Sequence, residues 1–218
     1  MDTFYNYLKI RIDQELPGHP AQLKMAPQPN EGRRTLAPPS DDVKMSSVLI
    51  LLHDTIEGGR ELLLTLRTEN LPTHKGQISF PGGRSMDGEL AVETALRESK
   101  EEVGLNTSEI HILGILTGLY LSNSNNFIYP VVGYIDHRPK LTINPYEVAE
   151  AFFVDLDTLL KSDNLKVEEW TIRDKKYKVP YWAIHPETPL WGATAMILSE
   201  FLTLYKQFKQ EYEPSSDS

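Results

Sequence analysis

A mixed β-sheet held between helices, an α/β fold, is what this sequence predicts. Three observations carry that reading. The run Ser47-Val-Leu-Ile-Leu-Leu-His53 is apolar and too short for a helix, so it reads as a buried strand. Residues 91–103 contain no helix breaker and are rich in Ala, Leu, Glu, Arg and Lys. Residues 188–208 place Ala193, Ile197, Leu198, Phe201, Leu204, Tyr205 and Phe208 at helical spacing and close the chain after several strand-like runs. With 218 residues, 40% of them hydrophobic, one substantial core and one domain are expected. An N-terminal helix and proline-rich arm (1–43) should pack on the domain proper (44–210), ahead of a flexible tail (211–218).

In chain order, Phe4, Tyr5, Leu8, Ile12 and Leu16 mark an amphipathic helix over 3–16, stopped by Pro17-Gly18. Six prolines between 17 and 43 predict an irregular arm without helix or strand, in which Arg33 and Arg34 read as solvated. The strand at 47–53, a turn at 54–59 and a strand at 61–67 make a hairpin, with His53 as a structural side chain at the strand end. A loop at 68–76 leads to a short strand, 77–80, and then to Pro81-Gly82-Gly83. After the helix at 91–103, Gly104 stands where a left-handed cap belongs. Strands follow at 111–121, 127–136 and 148–155, then a short helix at 156–160. A hairpin of 168–173 with 177–183 turns at Asp174-Lys175, ahead of the closing helix. No internal repeat is present.

The net charge of −9 argues against nucleic acid as a standing partner. No apolar run approaches the roughly 18 residues of a membrane span. There is no cysteine, hence neither disulfides nor thiolate chemistry. Met1-Asp-Thr-Phe-Tyr-Asn lacks the basic start and apolar core of a secretion signal, so a soluble cytoplasmic protein is expected.

Chemistry concentrates between Phe80 and Leu105. On the helix, Val92, Leu96, Ser99 and Val103 form the stripe expected to pack inward, and Glu98, Glu101 and Glu102 share a neighbouring face. Carboxylates crowded on one turn repel unless something answers them, and a hard divalent cation takes carboxylate oxygens. Mg²⁺ binds through one or two carboxylates plus substrate phosphates, so the glutamates beside a Gly-Gly turn suggest a site for a metal-bound diphosphate. A solvated acidic face is the plainer alternative.

The run Gly83-x5-Glu89-x7-Arg97-Glu98-Ser99-x-Glu101-Glu102-x-Gly104-Leu105 resembles the Nudix box, G-x5-E-x7-R-E-U-x-E-E-x-G-U. Every fixed letter is present at its spacing; only Ser99 departs, where the family prefers a bulky apolar residue. The resemblance implies a Nudix-type α/β/α sandwich and a hydrolase of nucleoside diphosphates using Mg²⁺ or Mn²⁺. It makes Glu98, Glu101, Glu102 and the Gly82 carbonyl metal ligands. It makes Gly83, Glu89, Arg97 and Gly104 structural, with Arg97 and Glu89 paired to fix the loop on the helix. Glu98 or Glu101 is a candidate base, and Glu147, in Asn144-Pro-Tyr-Glu147-Val-Ala-Glu150, is the downstream candidate, with Glu150 second.

Ahead of the box, Leu63-Leu-Thr-Leu-Arg67-Thr68, Leu71 and His74-Lys75-Gly76-Gln77-Ile-Ser-Phe-Pro-Gly-Gly83 look like the motif of coenzyme A pyrophosphatases, with Thr68 in place of Ser. Leu16-Pro17-Gly18 and Met25-Ala26-Pro27 resemble the leader of bacterial members, so the likeness spans roughly residues 10–160. Arg67, His74, Lys75 and Gln77 then become the substrate-binding residues. Arg67, His74 and Lys75 place cationic groups just before the turn, where Arg can hold a phosphate bidentately. The implied products are 3′,5′-ADP and 4′-phosphopantetheine or its acyl form. The alternatives are a broader hydrolase of ADP-ribose or NADH, and a Nudix-fold sensor that binds a nucleotide without cleaving it. The partner expected is a small molecule; a homodimer stays open.

Overall fold

The computed structural model describes residues 3–30, 42–69 and 75–213. Its elements are α1 (Thr3–Asp13), α2 (Gly18–Gln22), β1 (Gln28–Pro29), β2 (Lys44–Asp54), β3 (Arg60–Arg67), β4 (Ile78–Ser79), β5 (Gly82–Arg84) and α3 (Ala91–Val103). They continue as β6 (His111–Ile115), β7 (Leu119–Leu121), β8 (Asn126–Tyr134), β9 (Val148–Asp155), α4 (Leu156–Leu160), β10 (Leu165–Ile172), β11 (Lys175–Trp182) and α5 (Gly192–Tyr212).

The main sheet runs β4-β3-β2-β8-β6, with β5 beside β2, β7 beside β8 and β9 beside β3. β2 and β8 are parallel and the other pairs antiparallel, which is the mixed sheet expected. β2 is apolar from Val48 to Leu52, where it is covered on both faces. Its Ile50 and Leu52 join Leu62 and Leu64 against Phe4 and Leu8 of α1 and Phe201, Leu204 and Phe208 of α5. Its Leu49 and Leu51 join Leu63 against Ala95 and Val103 of α3. Helices therefore cover both faces, as the sandwich requires. A smaller sheet, β1-β11-β10, flanks it. No helix among the described residues is long and apolar enough to cross a membrane.

Four local expectations are corrected. The segment after Pro17 is ordered as α2, a 3₁₀ turn at Leu23–Met25 and β1, which pairs Gln28 and Pro29 with Lys178 and Tyr177; Arg33 and Arg34 lie outside the described residues. The strand expected over 111–121 is split. A Cβ at Gly114 (φ 148°) would strike Ile12 of α1, and one at Gly118 would strike the Phe127 ring, so both glycines mark close approaches. The second hairpin turns at Arg173 and Asp174, both at positive φ (49° and 63°), the twist that a two-residue hairpin loop needs. The closing helix starts at Gly192 because Leu190 pairs with Trp182, and it runs on to Tyr212 into the expected tail.

Sequence reasoning missed Glu200, a wholly buried carboxylate on α5. It accepts from the Gly18 amide (3.0 Å), Thr117 Oγ1 (2.6 Å) and Gln22 Nε2 (2.9 Å), tying the N-terminal segment and the β6–β7 gap to the closing helix. Three donors lose their acceptor in Glu200→Ala, so a loss of about 3 kcal/mol is expected. Urea unfolding measures it, and a change below about 1 kcal/mol would show that the network contributes little.

Candidate active site at the glycine turn and the glutamate helix

Two glycines let the backbone come in close. Gly82 sits at φ 155°, and a Cβ there would collide with the Ser47 carbonyl and stand 2.6 Å from Val48 Cα, because β5 pairs with the start of β2. A Cβ on Gly83 would meet the Glu98 carboxylate, its Cδ at 2.5 Å, so only glycine admits that carboxylate.

Helix α3 has the predicted limits. The Leu90 amide donates to Glu93 Oε2 (2.9 Å) at its start, and Gly104 (φ 69°) ends it in the left-handed conformation. Its inward face is the stripe expected, with Ser99 and Val103 buried and Val92 and Leu96 partly buried against the core, and it is wider than expected: Thr94, Ala95 and Glu102 are buried too. Ser99 Oγ donates to the Ala95 carbonyl (2.6 Å), so the short side chain at the box's one departure leaves no unpaired hydroxyl.

Glu102 is thus a buried carboxylate, 1% exposed. One oxygen accepts from the Gly82 amide (3.1 Å) and the other from Arg67 Nη1 (3.1 Å). Burial pushes its pKa up to about 7, against the pull of Arg67 and the Gly82 amide, with Glu147 and Glu98 adding to the rise. Burial also raises Glu98, opposed by Arg97 and reinforced by Glu101 and Glu147. Arg97 grips Glu89 with Nε and Nη2 (2.8 and 3.0 Å) and the Arg84 carbonyl with Nη2 (3.0 Å). Its Nη1 reaches Glu98 (2.6 Å) and Glu101 (3.2 Å). Arg97 first, then the Met86 amide, holds Glu89 down at about 2. The turn, the Glu89–Arg97 clasp and the three helix glutamates therefore form one connected unit.

The Nudix domain family matches residues 43–175, a span that contains this unit. The chain belongs to the Nudix family. It is 35% identical over 182 residues to Nudix hydrolase 3 of Caenorhabditis elegans, covering 76% of this chain and 75% of the relative. Nudix hydrolase 15, mitochondrial, of Arabidopsis thaliana is 33% identical over 177 residues; the match takes in 76% of this chain and 62% of the plant protein, under two thirds of its length. A MutT/nudix family protein from Enterococcus faecalis superposes at a TM-score of 0.51 with 16% identity, over 83% of this chain and 68% of that one, a likeness of fold.

A later loop of the Nudix domain adds a fourth carboxylate. Thr142 and Asn144 amides donate to the carbonyls of Val103 (2.9 Å) and Glu102 (2.8 Å), and the Thr68 amide donates to the Glu147 carbonyl (3.0 Å). Asn144 Nδ2 holds Glu147 Oε1 (3.0 Å), and the Glu147 charge is felt by both Glu98 and Glu102. Glu150, the second downstream candidate, points away to His185 Nε2 (3.3 Å). Lys75 is exposed, the Gln77 carbonyl accepts from the Arg67 amide (3.0 Å), and His74 lies outside the described residues. His53 is buried five residues along β2 from Val48; its Nδ1 bonds the Asp54 carbonyl (3.0 Å) and its Nε2 lies 3.0 Å from the Glu61 carboxylate.

Chemically this donor set suits a hard divalent ion: Glu98 and Glu102 lie against the glycine turn and are held toward the neutral form by burial first, and Glu101 and Glu147 are near enough for their charge to raise Glu98 further. Among the described residues no three His, Cys, Asp or Glu side chains are already placed to hold a metal ion. The physical reason is visible in the ion pairs, since Arg97 draws on Glu98 and Glu101 and Arg67 on Glu102. The coupling of Arg67 to Glu102 was not legible in the sequence, which offered Arg67 as a free phosphate ligand. The part played by Asn144 was missed too, although Asn144-Pro145 was read as a turn.

Proposed function

We propose that this Nudix protein hydrolyses the diphosphate linkage of coenzyme A and its derivatives, giving 3′,5′-ADP and 4′-phosphopantetheine or its acyl form. The observation that supports the reaction class is the setting of the Glu98 and Glu102 carboxylates against Gly83 and Gly82, with the charges of Glu101 and Glu147 acting on Glu98. Coenzyme A as substrate rests on the motif running from Leu63 to Gly83.

Glu98, Glu101 and Glu102, with the Gly82 carbonyl, would hold Mg²⁺ or Mn²⁺. Bound there, such an ion supplies charge neutralisation for the diphosphate and lowers the pKa of an attacking water. Gly83 gives the Glu98 carboxylate room, and Arg97, clamped by Glu89, sets its direction. Glu147 lies among these groups and takes the proton as base; its Asn144 contact orients it. Arg67, Lys75 and Gln77 line the approach ahead of the turn, where Arg67 can offer a phosphate the donors that Glu102 does not use. Positioning and electrostatics account for most of the rate in such phosphoryl chemistry.

Incubation with Mg²⁺ or Mn²⁺ and equal concentrations of coenzyme A, ADP-ribose and NADH, with products identified by mass spectrometry, tests the reading. Coenzyme A is expected to be cleaved at least tenfold faster, by kcat/KM, than either alternative. Equal or better turnover of ADP-ribose removes the coenzyme A assignment. Tight nucleotide binding with no product from any of the three makes the protein a sensor.

A further inference from the structure

A concave feature lies apart from the glutamate cluster, on the flanking sheet. A cavity of about 280 Å³ opens between β10, β11 and the segment leading to α5, lined by Glu168, Trp170, Tyr181, His185 and Glu187 among others. Its walls are built and not incidental. The Trp170 and Tyr181 rings lie 5.3 Å apart at 32°, and Trp191 braces Trp170 edge-on at 5.3 Å. Tyr181 OH (2.6 Å) and Trp170 Nε1 (3.2 Å) both donate to the Glu168 carboxylate, one to each oxygen. Those bonds favour its ionised form, and each oxygen keeps a further lone pair for a ligand. His185 is fixed as well: its Nδ1 accepts from the amides of Glu187 (3.3 Å) and Thr188 (3.1 Å), which leaves the proton on Nε2 for Glu150.

The cavity is tied to the catalytic end of β3 from both sides. Leu66 pairs with Glu150 on β9 and with Ile78 on β4. His185 bonds Glu150, and Thr194 Oγ1 donates to the Ile78 carbonyl (3.1 Å). The segment carrying the cavity is thus moored on either side of Leu66, one residue before Arg67, which contacts Glu102. The cavity and the glutamate cluster are therefore connected through β3 and the two strands beside it.

We infer that the cavity seats the nucleobase of the substrate: an adenine-type ring stacks on Trp170 and gives its exocyclic amino hydrogens to Glu168. Two carboxylates in the lining disfavour a phosphate, and flat aromatic walls beside an acceptor suit an uncharged heterocycle with a donor edge. This rests on the reading that the site takes a nucleoside diphosphate, but not on coenzyme A in particular, since the base is shared by coenzyme A, ADP-ribose and NADH.

Calorimetric titration of the full chain with AMP, with purine riboside 5′-monophosphate (the same ring without the amino group) and with 4′-phosphopantetheine tests it independently of turnover. Trp170→Ala is expected to weaken AMP about tenfold, about 1.4 kcal/mol, within the range of base–aromatic stacking, and to raise KM by a similar factor. Trp170→Phe should keep AMP within about threefold, stacking being retained. Glu168→Gln should weaken AMP about fivefold and leave the amino-free analogue unchanged, as loss of one charge-assisted bond implies. AMP affinity unaltered in Glu168→Gln and in Trp170→Ala overturns the inference, as does 4′-phosphopantetheine binding that these changes weaken while AMP is unaffected. If coenzyme A is not cleaved yet AMP behaves as stated, the substrate assignment fails and the base seat stands.

Discussion

Glu98→Gln is expected to lower kcat about a thousandfold, about 4 kcal/mol of barrier at 1.36 kcal/mol per tenfold, while the fold is kept. The substitution preserves the shape that Gly83 admits and removes only the charge. Arg97 loses one of its partners but keeps both bonds to Glu89 and the one to the Arg84 carbonyl, so the loop stays clasped to α3. The ionised form of Glu98 is already disfavoured by burial, so neutralising it should leave the melting temperature within about 2 °C of the parent, less than 1 kcal/mol for a chain of this size. Steady-state rates with coenzyme A and Mg²⁺ give the first quantity, scanning calorimetry the second, and Mn²⁺ titration a third, expected to weaken strongly. A variant that turns over within tenfold of the parent has no metal ligand or base at position 98, and the assignment made to the other three glutamates would need rebuilding.

Local sequence logic reached some of this arrangement and long-range pairing hid the rest. The limits of α3 were legible because good helix formers run unbroken from Ala91 to a glycine that can cap, and the structure places that glycine at φ 69°. β2 was legible because an unbroken apolar run as short as Val48 to Leu52 suits a strand covered on both faces. The Glu89–Arg97 contact followed from a motif eight residues apart. Arg67 and Glu102, by contrast, are 35 residues apart, and no local pattern links the end of a strand to the inner face of a helix. Glu200 was hidden for the same reason: only the folded chain brings Gly18, Gln22 and Thr117 to it. The inward stripe of α3 was legible, but the burial of Glu102 beside it was not, because a buried glutamate is a poor guess until its counter-charge is known.

That counter-charge leads to the second large effect. Arg67→Met should destabilise the protein by about 3 kcal/mol at pH 8 and by much less at pH 5. Arg67 contacts a carboxylate that is 1% exposed, and its own side chain is 21% exposed, so the pair is screened far less than a surface one. Without it, Glu102 keeps only the Gly82 amide as a donor at its charge, and its pKa climbs further above about 7. The sign follows from linkage. A carboxyl whose folded pKa exceeds its unfolded value binds its proton more tightly in the native state, so stability falls as pH rises through the window between them, from about 4.5 to about 7 in the parent. Raising the folded pKa extends that window upward, and the added penalty is felt above pH 7. At pH 5 Glu102 is protonated in both folded proteins, and only the lost packing of the arginine stem remains. Millimolar Mg²⁺ or Mn²⁺ at pH 8 should restore much of the loss, because a cation among Glu98, Glu101 and Glu102 answers the same charge. Urea unfolding at the two pH values, with and without metal, reads all of this. An equal loss at pH 5 and pH 8 would show that Arg67 acts by packing and not as the counter-ion of Glu102.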